Sequence, residues 1–389
     1  MRLCEIKWRV RQTKRRETLT ELKLLGAICL SVAKGDMEQA RQHLASCSHD
    51  AVLRLATLAV KERIHPLFCL VSETSGDQLE QVDPDIAQIL RRTPIYYFHR
   101  NLRLRAELQV LDVAMNDNDE KPLLLKGSAR LFDDIYPLIG CRHMEDIDVC
   151  VTDNALLKAI AGLEEDQIDP AEMWFGPETG AVQLDGKHHW PPLTLGKHGT
   201  SIEPHFLPFD CVYQGILPED FFTNVGNVEG LNYFAAPSML NQTVVAIVHA
   251  IKHDRDSFPG SLFLKGLIET ELLYQRLSDE EKSDLEAHFR NAGFSHVYDG
   301  WSELIQFVFE IPCKDSKLSL RSRALLAEFQ LRKHKKIYAL IIGTIHRLRS
   351  WVSPSNWRSG AVLQRSREFK TKRFWVRAYR EFRNALRFH

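Results

Sequence analysis

A mixed α/β core set between helical segments is the fold class this chain predicts. Three observations carry it. Apolar residues recur at helical spacing before residue 111 and again after residue 238. A short apolar run, 123–125, and a segment with strong β-formers between two acids, 146–151, lie between those regions and have the length of strands. Glycine, proline and polar turns break up the segments around them. The same order divides the chain into an N-terminal helical region 1–120, an α/β core 121–235, a C-terminal helical domain 236–312 and a basic helical tail 313–389.

The elements follow in order. Leu22, Leu25, Cys29 and Val32 share one helical face, with Leu24 and Ile28 beside it; Val52, Leu55, Leu58 and Ala59 mark another helix. Ser46 to Asp50 is a polar break and Ser72 to Asp83 a polar loop. Ile86 to Arg92 predicts a short helix. Thr93-Pro94 then reads as an N-cap with proline in the first turn of a long helix to Leu111. Its expected apolar side is Ile95, Phe98, Leu102, Leu104, Leu108 and Leu111. Leu123 to Leu125 ends at Gly127 as a buried strand would, and Ala129 to Ile135 can form a helix. Asp146 to Val151 is a second strand, and Thr152-Asp153-Asn154 caps a helix from Ala155 to Leu163. Val182 to Leu184, Leu193 to Leu195 and Ser201 to Phe206 are further strand candidates. Pro204 has no N–H for a sheet ladder, so its strand must be at an edge or bulged there. Leu240, Val244, Ile247, Val248 and Ile251 share a helical face. Phe263–Leu277, Glu280–Asn291 and Trp301–Phe309 predict more helices.

With 44% hydrophobic and 26% charged residues, the chain has the composition of a globular protein. Its 51 basic and 51 acidic residues balance overall but not locally. From Arg321 to His389 the only acids are Glu328, Glu368 and Glu381, against eighteen Lys and Arg. The eight cysteines form no Cys-x-x-Cys pair and read as reduced thiols of a cytosolic protein. Met1 to Arg16 lacks the apolar run of a signal peptide, and Ile337 to Ile345 is about half of a membrane span.

The residues that carry chemistry lie in the core. Asp146 and Asp148, two apart on a strand, project to one side. Glu203, on another strand, can complete a three-carboxylate cage for hard divalent cations. Gly127 permits a tight turn after the first strand. Ser128 and the backbone N–H groups there can hold phosphate oxygens, and Lys126 and Arg142 can add charge for a triphosphate. Two Mg²⁺ ions, or Mn²⁺ in their place, would neutralise phosphate charge, activate an attacking oxygen and stabilise a leaving pyrophosphate. An isolated Asp-x-Asp is more often a solvated strand edge. The order strand, Gly-Ser, helix, strand with Asp-x-Asp, then Glu203 is what points to phosphoryl or nucleotidyl transfer.

Leu124-Leu125-Lys126-Gly127, Tyr136-Pro137, Arg142 and Asp146-Ile147-Asp148-Val149 resemble the family of uncharacterised nucleotidyltransferases within the DNA polymerase β-like nucleotidyltransferase superfamily. Ile202-Glu203-Pro204-His205-Phe206 resembles the family's later Glu-x-His strand. His249 and His253 resemble its helical histidines, and Glu269 could stand for the acid expected after them. The resemblance covers about 90–275 and implies a polymerase β-like core, a short mixed sheet flanked by helices, with His205, His249 and His253 as candidate substrate-facing residues.

The acceptor stays open: a small molecule, a sugar, a tRNA or a protein. Arg365, Arg367, Lys370, Arg373 and Arg377 interleave with Phe369, Phe374, Trp375 and Tyr379. The tail therefore suits RNA, an anionic membrane surface on the cytoplasmic side, or packing on the protein body. A non-catalytic membrane-surface or RNA-binding protein is the reading of a different class. His188, His189 and His198 fit no standard zinc spacing.

Overall fold

The computed structural model describes residues 19–73, 84–115, 121–151, 193–194, 200–209, 211–253 and 264–310. All fall in one of the two units into which the chain divides, 1–253 with 263–316; the other, 254–262 with 317–389, lies outside the described residues. So do the basic tail, the expected strand 182–184, the expected helix 155–163, and His188, His189 and His198.

The α/β class holds. Helices α1 (Leu19–Ala33), α2 (Met37–Ala45), α3 (His49–Lys61), α4 (His65–Glu73) and α5 (Pro84–Ala114) precede the sheet. Strands β1 (Leu123–Leu124), β2 (Asp146–Cys150), β3 (Leu193–Thr194), β4 (Ser201–His205), β5 (Val225–Asn227) and β6 (Ala235–Pro237) form it, in the order β3-β4-β2-β1-β6-β5. A four-residue helix, α6 (Lys126–Ala129), follows β1. Helices α7 (Met239–Val248), α8 (Leu264–Arg276), α9 (Asp279–Asn291) and α10 (Ser295–Phe309) complete the described chain. No helix among the described residues is long and apolar enough to cross a membrane.

The sheet is mixed. β1 runs antiparallel to β2 and parallel to β6; β2 and β4 are parallel, with Asp146, Asp148 and Cys150 facing Ser201, Glu203 and His205. Period-2 alternation therefore gives the sheet two unlike faces. Leu124, Ile147, Val149 and Ile202 pack in one core cluster with Leu104, Leu108 and Leu111 of α5. The opposite face carries the acids.

Three local expectations are corrected. Ile86–Arg92 and the segment after Pro94 form one helix, not two, with Pro94 inside it. Proline removes only the bond to residue 90, and Thr93 is buried within the helix rather than capping a new one. The buried stripe of α5 is Tyr97, Asn101, Leu104, Leu108 and Leu111, whereas Ile95 (54% exposed), Phe98 and Leu102 face outward. The polar Asn101 hid that register. Its amide donates to the carbonyls of Ile139 and Arg142 at 2.6 and 2.9 Å. The helix expected at 129–135 instead starts at Lys126 and stops at Ala129. Strands β5 and β6 were not foreseen, since Val-Gly-Asn and Ala-Ala-Pro carry no alternating pattern.

Helix α5 fixes the approach to β2. Besides Asn101, Arg100 donates to the carbonyls of Met144 at 2.8 Å and Glu145 at 2.9 Å. Gly140 lets this loop lie against the helix, because a Cβ there would come within 2.9 Å of the Phe98 backbone nitrogen. At the other end of α5, buried Asp112 accepts the backbone N–H groups of Asn232 and Tyr233 and so anchors the chain leading into β6. N- and C-terminal helices also meet: a Cβ on Gly26 of α1 would come 2.9 Å from Val308 of α10.

A buried cluster joins α4, α5 and the loop before β2. His65 Nε2 lies 3.0 Å from the Tyr97 hydroxyl, and the rings of His65 and His143 meet edge-on at 5.1 Å. Burial, then nearby positive charge, lowers His65 from 6.5 to about 4 and His143 from 6.5 to about 2. Both remain neutral in the fold at pH values where the unfolded chain takes up their protons. Stability is thus complete above about pH 6.5 and falls as the pH drops from there through 4, by up to about 1.4 kcal/mol per pH unit for each group. Urea unfolding of wild type and His143→Phe at pH 7.5, 6.5 and 5.5 checks this. The wild type should lose stability over that range more steeply than the variant, and equal slopes would contradict it.

Candidate functional site

The site forms where β1 ends and β2 begins. Leu125 donates its N–H to the Asp148 carbonyl at 3.1 Å, continuing the antiparallel ladder. The chain then turns at Lys126, which adopts φ 48°. That left-handed conformation costs a lysine on the order of 1 kcal/mol and is commonly held for a functional reason. With the strand gone, Asp148 N–H finds its acceptor in the Ser128 hydroxyl at 2.8 Å. Ser128 is fully buried, and removing its oxygen would strand that N–H at a cost of about 1–3 kcal/mol.

Asp148 is the hub. It is 7% exposed, and its Oδ1 accepts from Lys126 Nζ at 2.8 Å and pairs with His205 Nε2 at 2.9 Å. Burial alone would raise its pKa, but the Lys126 ammonium and the His205 hydrogen bond hold it well below the usual carboxylate range. An ionised carboxylate can only accept, so His205 Nε2 carries the proton. In this arrangement His205 holds the Asp148 carboxylate in place.

Asp148 and Glu203 carboxylate oxygens and a His205 ring nitrogen lie within 4.8 Å of one another. His205 Nε2 is 3.9 Å from Glu203 Oε2. Asp146 joins this group electrostatically: burial and then repulsion from Asp148 and Glu203 push it up to about 6. A cluster of carboxylates that resist ionising together is what a divalent cation relieves.

Pro204 does not break the geometry. The His205 carbonyl accepts from Val151 N–H at 2.7 Å, so His205 bonds toward β2 and Pro204 faces the other way. On that side the described part of β3 pairs only with Ile202 and Ser201. The missing N–H costs no described ladder bond, and Glu203 keeps its place opposite Asp148.

A family model described as uncharacterised nucleotidyltransferase matches residues 49–306, more than half of the chain and all of this site. The chain belongs to that nucleotidyltransferase family. No curated protein and no solved structure matches it. Membership makes transfer of a nucleotide group its class of activity and a nucleotide its implied substrate.

The nucleotidyltransferase surrounds its acids with buried cations. Arg142 Nε donates to Glu269 Oε2 at 2.8 Å, and Arg130 Nε lies 3.9 Å from Glu269 Oε1. Burial opposes the charge on Arg142, but Glu269, Tyr136 and Asp148 raise its pKa above the usual value. Burial would raise Glu269, yet Arg142 and then Arg130 hold it low. Gly127 is where the Arg142 guanidinium crosses the backbone, since a Cβ there would come 2.6 Å from Arg142 Cζ. Lys265 of α8 lowers Asp146 and Glu269 through its positive charge.

Sequence reasoning missed Arg130 and Lys265 and matched Glu269 only weakly. No spacing signal marks them, because Glu269 meets Arg142 across 127 positions. His249 is buried, with Nε2 2.7 Å from the Pro208 carbonyl, and occupies a π-helical turn with His253. The side chain of His253 lies outside the described residues.

Proposed function

We propose that the protein moves a nucleoside monophosphate from an NTP to an acceptor hydroxyl and releases pyrophosphate, with Mg²⁺ as the working ion. The observation that carries this reading is the convergence of Asp148 and Glu203 from adjacent parallel strands, with Asp146 on the same face and Lys126 beside them. The donor set fits a hard cation, since it offers carboxylate oxygens around a buried group already ionised. Asp146, Asp148 and Glu203 are the residues that would hold the ions. When bound, they supply charge neutralisation at the phosphates and acidify the acceptor hydroxyl.

The chain's own groups do the rest. The acceptor oxygen attacks the α-phosphorus. The bond from that phosphorus to the β-bridging oxygen breaks, and its electron pair leaves on pyrophosphate while the hydroxyl proton passes to water. Lys126, and Arg142 across Gly127, provide fixed positive charge for the triphosphate. Ser128 locks the turn that presents them, and His205 keeps the Asp148 carboxylate aimed. Being held in place before substrate arrives, these charges need little reorganisation during the reaction. Label from NTP labelled at the α-phosphate should appear in an acceptor product with Mg²⁺ present and vanish with chelator. Glu203→Gln should cut that transfer at least about a hundredfold, the scale of losing one preorganised electrostatic contact. Transfer unchanged in Glu203→Gln would remove Glu203 from the reading.

A further inference from the structure

Asp148 Oδ1 is a crowded atom. The Lys126 ammonium donates to it at 2.8 Å and the His205 ring nitrogen at 2.9 Å. A carboxylate oxygen has two lone pairs, and these two donors use both. An ion shared between Asp148 and Glu203 must therefore meet Asp148 through its other oxygen, one carboxylate group away from a fixed positive charge. The backbone keeps that charge where it is. Lys126 turns at φ 48°, with the Leu125 N–H on the Asp148 carbonyl before it and the Ser128 N–H on the Leu125 carbonyl at 2.9 Å after it. Arg130 Nε reaches the Lys126 carbonyl at 3.4 Å. Burial opposes ionisation of Asp148, and Lys126 is the first of the charges that offset it. The lysine thus supplies in the free protein the neutralisation that a cation would supply.

We propose that Lys126 couples cation binding to NTP binding: its ammonium weakens the hold of the acids on a divalent ion by itself, and the triphosphate of an incoming NTP cancels that opposition, so that ion and nucleotide fill the site together. The inference rests on the nucleotidyl-transfer reading and extends it to the order in which the site fills. One charge produces both effects. An ammonium about 6 Å from a divalent ion lowers the affinity for that ion about tenfold, even at the dielectric of bulk water. The same ammonium, at the turn where β1 gives way to α6, attracts a triphosphate. Once the triphosphate has neutralised it, the ion meets the acids without that opposition. By linkage, the ion then favours the nucleotide by the same factor. A site built in this way admits the ion with its substrate rather than before it.

The test is two binding measurements on the full chain, neither of which needs turnover. Mn²⁺ binding is followed by electron paramagnetic resonance without nucleotide, and tripolyphosphate binding by calorimetry with chelator present. Both are run at pH 8, above the value of about 6 to which Asp146 is raised, so that protons do not compete. Lys126→Asn removes the charge with a residue that tolerates the left-handed turn, and Lys126→Arg keeps the charge. Lys126→Asn should bind Mn²⁺ about tenfold tighter than wild type and tripolyphosphate several-fold more weakly, with Lys126→Arg close to wild type in both. A substitution that merely disturbed the turn would weaken both ligands. The proposal is overturned if Lys126→Asn binds Mn²⁺ no tighter than wild type, if it keeps wild-type affinity for tripolyphosphate, or if Lys126→Arg tightens Mn²⁺ equally. Failure of nucleotidyl transfer itself would show separately, as α-label incorporation that does not respond to Asp148→Asn.

Discussion

Asp148→Asn is expected to fold and to lose about a thousandfold in nucleotidyl transfer. Asparagine keeps the shape of the side chain and an oxygen for His205, but not the charge. Three groups depend on that charge: Lys126 at 2.8 Å, His205 at 2.9 Å, and any cation shared with Glu203. Losing the metal's electrostatic assistance is worth several kcal/mol of barrier, which corresponds to that rate factor. Mn²⁺ binding followed by electron paramagnetic resonance should weaken at least about tenfold in the same variant. Circular dichroism shows whether the fold is retained. A folded Asp148→Asn protein with wild-type transfer would contradict the assignment of Asp148 as the hub.

The largest effect on stability is expected from Glu269→Ala. Glu269 is the shared counter-charge of Arg130 and Arg142, whose side chains are 2% and 9% exposed. Arg130 keeps Asp133 at 2.8 Å, but buried Arg142 loses its carboxylate partner, and breaking a buried ion pair on one side costs about 3–5 kcal/mol. Gly127→Ala should act on the same network by a different route. Its methyl would meet the Arg142 guanidinium and, at 3.1 Å, Met144 Cε, pushing Arg142 off Glu269. Because both changes break one network, the double variant should lose less than the sum of the two single losses. Urea unfolding of the three variants measures this. An additive double variant, or a Glu269→Ala protein as stable as wild type, would show that the network does not hold the α6 turn to α8.

Much of the site was legible because its chemistry lies in short segments. Asp146-Ile147-Asp148-Val149 reads as a strand by composition, which it forms, and its alternation puts Ile147 and Val149 in the core and both aspartates on the other face. Gly127 and Ser128 also stood out, although their observed contacts are more structural than a glycine-serine turn suggests. Gly127 makes room for Arg142, and Ser128 replaces a ladder acceptor for Asp148. The stripe of α5 was misplaced because two polar-capable residues, Tyr97 and Asn101, sit where an apolar pattern was sought. Asn101 faces inward to hold the loop carrying Arg142, a tertiary demand that no helical period encodes. Strands β5 and β6 owe their form to pairing with each other and with β1, not to β-forming residues. The cation cage is the least legible part: Arg130, Lys265 and Glu269 come together only when α8 packs beside the α6 turn.

The most direct test of nucleotidyl transfer at these acids is a pair of otherwise identical reactions of the full-length protein, one with NTP labelled at the α-phosphate and one at the γ-phosphate. Label should enter the acceptor from the α position only, with γ label recovered in pyrophosphate, and both signals should disappear in Asp148→Asn. Incorporation of γ label into the acceptor would mean phosphoryl transfer and would contradict the reaction proposed for Asp146, Asp148 and Glu203.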